Sequence, residues 1–68
     1  MCLSIVYLNK KEKNNVVMEE ASSISYDSGV LTVQTLFGER KTFPGYSVGE
    51  VNLLEHYVIL HQTGAQNG

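Results

Sequence analysis

The chain is a succession of short β-branched and aromatic runs, each ended by turn formers after about four to seven residues. Such interruption leaves little room for a helix. The longest helical candidate, VVMEEASS, has neither an N-cap nor a full apolar stripe. The runs themselves read as strands: LSIVYL (Leu3 to Leu8), VVME (Val16 to Glu19), SISY (Ser23 to Tyr26), VLTVQTL (Val30 to Leu36), RKTF (Arg40 to Phe43), SVGEVNL (Ser47 to Leu53) and YVILH (Tyr57 to His61). Asp27-Ser28-Gly29, Gly38 and Pro44-Gly45 supply turns between them. In the fourth run, Leu31, Val33, Thr35 and then Phe37 share one face, and this face is expected to be the core side.

These features predict an all-β fold, a small single-domain barrel or sandwich of about six to seven short antiparallel strands. Closure suits so short a chain because it removes sheet edges that would aggregate. The expected domain covers residues 1–62, and residues 63–68 are expected to form a flexible polar tail.

Length then limits stability. Below roughly 70–80 residues a core supplies only about 3–5 kcal/mol, so a staple is usual. With 68 residues and one cysteine, an internal disulfide is impossible. A metal, a second subunit or an efficient core must serve instead. A lone thiol suits a reducing compartment, and neither a signal peptide nor an apolar span is visible, so the expected location is cytoplasmic.

Several chemistries find little support. The formal charge is −2, and the only basic cluster is the turn KKEKNN with Lys10, Lys11 and Lys13. That reads as a solvated hairpin tip, so nucleic acid is not the expected partner. Tyr7, Tyr26, Tyr46 and Tyr57 are scattered as half-buried strand tyrosines are, without interleaved cations. Glu19 and Glu20 are adjacent, which on a strand sends them to opposite faces. His56 and His61 are five apart and read as two independent surface histidines; His56 ranks second as an auxiliary ligand. Catalysis needs convergent groups in a cleft, which a barrel of this size hardly accommodates, so no enzyme activity is expected.

Cys2 remains. A lone cysteine near a terminus is commonly inert. Its position nevertheless offers a chelate: with Met1 removed, a thiolate, a free amine and a backbone amide lie together. Sulfur and nitrogen donors of this kind suit square-planar Ni(II) or Cu(II). One such terminus completes a four-coordinate site poorly, whereas two related by a twofold axis supply two sulfurs and two nitrogens. A homodimer sharing one metal would also provide the missing staple.

Three stretches carry a resemblance to a known family: the start MCLSIVYL, the middle VLTVQTLFGERKTFPGYSVGEVNL, and YVIL near the end. Together they resemble the CooT family, small nickel-binding accessory proteins of carbon monoxide dehydrogenase maturation. The likeness runs in register from Met1 to about Leu60. Its most specific pieces are Met-Cys, TLFGE (Thr35 to Glu39), FPG (Phe43 to Gly45) and VNL (Val51 to Leu53). The resemblance implies an all-β homodimer that holds Ni(II) through Cys2, with carbon monoxide dehydrogenase or its maturation proteins as partners. The implied role is metallochaperone-like assistance of nickel insertion. The alternative is a small β-barrel RNA-binding or protein-interaction module with no metal role.

Overall fold

The computed structural model describes residues 3–63. Within them lie six strands: β1 (Ser4–Leu8), β2 (Val16–Asp27), β3 (Val30–Thr35), β4 (Arg40–Phe43), β5 (Tyr46–Asn52) and β6 (Tyr57–Gln62). A single 3-10 turn, Lys13–Asn15, precedes β2, and the described residues contain no α-helix. No helix among them is long and apolar enough to cross a membrane. The all-β expectation holds.

The strands form one sheet in the order β4-β3-β2-β1-β6-β5. Its curvature follows from one short link. Traced through the ladders, β4 and β5 run in the same direction at opposite edges of the sheet. Only Pro44 and Gly45 separate them in the chain. Two residues span at most roughly 10 Å between flanking Cα atoms, so the two edges must meet and the sheet must curl. Gly45 turns this corner at φ 81°, and the rings of Phe43 and Tyr46 pack edge to face across it at 6.4 Å.

Two features differ from the sequence expectation. The runs VVME and SISY are not separate strands but the two halves of β2. A bulge takes the place of the expected turn: the β2–β3 register shifts between Ala21 and Ser23. The first half of β2 pairs with β1 and the second with β3, and Ala21 alone pairs in both ladders, with Ser4 and with Thr35. The second difference is that β1 and β6 pair in parallel, Ile5 with Tyr57 through Leu8 with Leu60. Hairpin turns impose antiparallel pairing only on consecutive strands, and these two meet from opposite ends of the chain.

Val6, Leu31, Val33 and Leu60 are fully buried at the centre of the core, joined by Met18, Ala21 and Val58. The face of β3 expected to be buried is confirmed through Thr35, but Phe37 is 72% exposed. The strand ends first. The Thr35 hydroxyl, itself buried, accepts from the backbone N–H groups of Phe37 (3.2 Å) and Glu39 (3.1 Å). These bonds reverse the chain before Phe37 can reach the core.

Candidate functional site

Cys2, the expected metal ligand, lies outside the described residues, as do Met1 and positions 64–68 of the expected tail. The surroundings of the first described residues are well defined. The backbone N–H of Ile5 donates to the carbonyl of His56 at 3.1 Å. This bond sets the beginning of β1 beside the turn that joins β5 to β6. That turn holds Leu53 and Leu54, 81% and 87% exposed, and is braced by the Asn52 side chain accepting from the Glu55 N–H at 2.7 Å.

A notch opens here because β1 is short. Its ladder to β2 stops at Ala21, so the second half of β2 has β3 on one side only among the described residues. The notch is a groove of about 370 Å³ whose walls carry Ile24, Tyr26, Val48, Val51 and Leu53. The core residues Ala21 and Val58 form its floor. Tyr26 bridges it, its hydroxyl accepting from the Val48 N–H at 3.3 Å. Ser4 lines the same groove.

The other candidates are not brought together. His56 occupies the turn before β6 in a left-handed conformation (φ 61°), while His61 stands near the far end of that strand, roughly 15 Å along it. The His61 ring lies across Gly49, where β5 slips by one residue against β6. Glu19 and Glu20 are both exposed on β2. With Glu39 they border a second recess of about 340 Å³, whose lining also includes Lys41. Among the described residues no three His, Cys, Asp or Glu side chains converge to hold a metal ion.

One cluster escaped the sequence reading. The Tyr57 hydroxyl donates to Glu50 Oε2 at 2.7 Å, and the Lys11 ammonium sits 4.7 Å from the centroid of the Tyr57 ring. Lys11 also approaches Glu55 at 3.7 Å, and Tyr7 packs edge to face on Tyr57 at 6.1 Å. The hydrogen bond to Glu50 raises the Tyr57 pKa above its ordinary value, since ionisation would set a phenolate against a carboxylate; partial desolvation and the charges of Glu50 and Glu55 add to this. In the β5–β6 register Glu50 faces Ile59, so Tyr57 is its diagonal neighbour. That pairing becomes readable once the hairpin register is known. Lys11 is thereby drawn out of the basic turn, which does not behave as a free patch.

Comparison with known proteins follows the same lines. The family profile described as CO dehydrogenase accessory protein CooT matches residues 1–61. Among solved structures, a candidate CooT from Carboxydothermus hydrogenoformans superposes with a TM-score of 0.75 at 18% sequence identity, over 90% of this chain and 97% of that one. At that identity the likeness speaks for the fold. Among curated proteins none matches. The profile match covers nearly the whole chain, and the chain belongs to the CooT family of CO dehydrogenase accessory proteins.

Proposed function

We propose that this protein carries Ni(II) as cargo, bound by the thiolate of Cys2 and shared between two copies of the chain, and assists its insertion into carbon monoxide dehydrogenase. The observation that carries the reading is the family match, which begins at Met1 and so includes Cys2. The donor chemistry agrees with it. Coordination requires a deprotonated thiol, and a soft sulfur with nitrogen donors from the chain start suits Ni(II). Two such termini about a twofold axis complete four positions; one alone leaves the ion half exposed to exchange. That economy fits a carrier, which has to release what it binds.

The protein acts without catalysis, in the reducing cytoplasm where a lone thiol persists. Lys11 is engaged by Glu55 and the Tyr57 ring, which weakens the basic turn as a phosphate-binding patch and disfavours the RNA-binding alternative.

The test is a nickel titration of the reduced protein followed by calorimetry and by near-ultraviolet thiolate-to-nickel charge transfer, with Cys2→Ser alongside. Saturation at about half an equivalent per chain, lost in Cys2→Ser, is the expected result. Equal binding by the two proteins would remove the assignment.

A further inference from the structure

We propose that the edge of β2 over residues 16–20, with the Leu36–Phe37 turn beside it, is a docking site for an extended basic segment of a partner protein. The segment adds to the sheet there as a further strand.

Topology gives the first argument. β3 pairs with β2 only from Ala21 onward, and β1 pairs with the preceding half. Among the described residues, positions 16–20 therefore meet β1 on one side and no strand on the other. The recess of about 340 Å³ lies along that open side, and the buried Met18 and Thr35 form its floor. At its end the Leu36 N–H donates to the Glu20 carbonyl at 3.0 Å, where the turn after β3 leaves the edge. Backbone groups left open in this way are a template for another extended chain.

Charge decides which chain. Glu19, Glu20 and Glu39 border the recess, with Lys41 as its one cation. The local charge of −2 equals the formal charge of the entire protein. Among the described residues none of these three carboxylates enters an ion pair, whereas Glu12 and Glu55 meet Lys10 and Lys11. Carboxylates on the strand and on the facing turn select a segment that carries Lys or Arg. They also turn away a second copy, whose own acids would lie against them.

The third argument is the turn that closes one end of the recess. Leu36 and Phe37 are 46% and 72% exposed, on a backbone that is firmly held. The Thr35 N–H donates to the Glu39 carbonyl at 2.8 Å, and the Gly38 N–H to the Thr35 carbonyl at 3.1 Å. With the two bonds to the Thr35 hydroxyl, they fix the turn before any partner arrives. An exposed ring on a preorganised turn binds with little further loss of entropy. Aromatic anchors of this kind carry much of the energy of a protein contact. Phe37 thus offers apolar contact beside a strand edge whose acids set the partner's charge.

The test uses the full chain and a labelled hexapeptide of alternating lysine and valine with blocked ends, followed by fluorescence anisotropy and amide NMR shifts. Two control peptides accompany it: alternating glutamate and valine, and the lysine peptide N-methylated throughout its backbone. The lysine peptide is expected to bind saturably, with shifts centred on residues 16–20 and 36–41, and neither control is expected to bind. Glu19→Gln combined with Glu39→Gln should weaken it about fivefold or more, and Phe37→Ser by a similar factor. All three positions are exposed, and circular dichroism checks that the variants are folded. Failure of the lysine peptide to bind, equal binding by the N-methylated peptide, shifts centred elsewhere, or an affinity unchanged in the variants would overturn the proposal. No arm of the test involves Cys2 or a metal, so its outcome is independent of the nickel reading.

Discussion

The imidazole of His61 lies across Gly49, so close that a Cβ built on the glycine would fall 2.6 Å from ring atoms Cγ and Cε1. Gly49 is the extra residue of the β5–β6 bulge, between the Val48–Leu60 and Glu50–Ile59 pairs. Its φ lies outside the left-handed region, so space and not backbone strain demands the glycine there. Gly49→Ala should push the exposed His61 ring into another rotamer at a cost of about 0.5–1.5 kcal/mol. In a His61→Ala background the same change should cost almost nothing. Urea denaturation of the four proteins of this cycle gives the coupling energy; additive effects would show that the ring does not need the space.

Tyr57 is expected to ionise later than a free tyrosine, whose pKa is near 10.0, because its proton is held against Glu50. With the folded pKa raised above the unfolded one, the associated stability is complete below the unfolded pKa and fades as pH rises through the folded value. Phenolate absorbance should therefore show a delayed titration in wild type. The delay should shrink in Glu50→Gln. An unchanged curve in that variant would assign the shift to something other than the carboxylate.

Leu31 is fully buried at the centre of the core. Leu31→Ala should cost about 2–5 kcal/mol, against a total of roughly 3–5 kcal/mol for a core of this size. The balance is then close to zero, so a substantial fraction of the molecules should be unfolded at 25 °C, as partial loss of the β-sheet circular dichroism would show. A cooperative transition close to that of wild type would mean that something other than this core carries most of the stability.

Nickel should raise the melting temperature of wild type and leave that of Cys2→Ser unchanged. A hundredfold excess over the dissociation constant adds about 2.7 kcal/mol to the state that binds. The gain should diminish as pH falls, because protons compete with the ion for the thiolate. Thermal melts across a pH series, with and without nickel, make the comparison.

Five of the six strands were readable to within a residue or two, because each is bounded by turn chemistry that acts locally: Asp27-Ser28-Gly29 before Val30, Pro44-Gly45 before Tyr46. What escaped depended on contacts distant in the chain. The joining of Val16–Glu19 to Ser23–Tyr26 needs Ala21 to pair on both sides, which no local pattern announces. Phe37 continues the alternation of Leu31, Val33 and Thr35, yet Thr35 spends its hydroxyl on two backbone N–H groups and turns the chain. The parallel β1–β6 pair, the notch it borders and the contact of Lys11 with Tyr57 all require strands distant in the chain to be brought together in the curled sheet. Cys2 itself was marked by its place in the chain and by the family resemblance.

Parallel pairing of β1 with β6 has a consequence for the order of events in a cell. Ile5 and Tyr57 lie about fifty residues apart, and bringing such ends together costs about 3–4 kcal/mol of closure entropy. β1 can pair with β2 early, but its other neighbour, β6, is the last strand to emerge from the ribosome. A partly synthesised chain thus leaves one edge of β1 unpaired. The six-stranded order is complete only once residues 57–62 have been made.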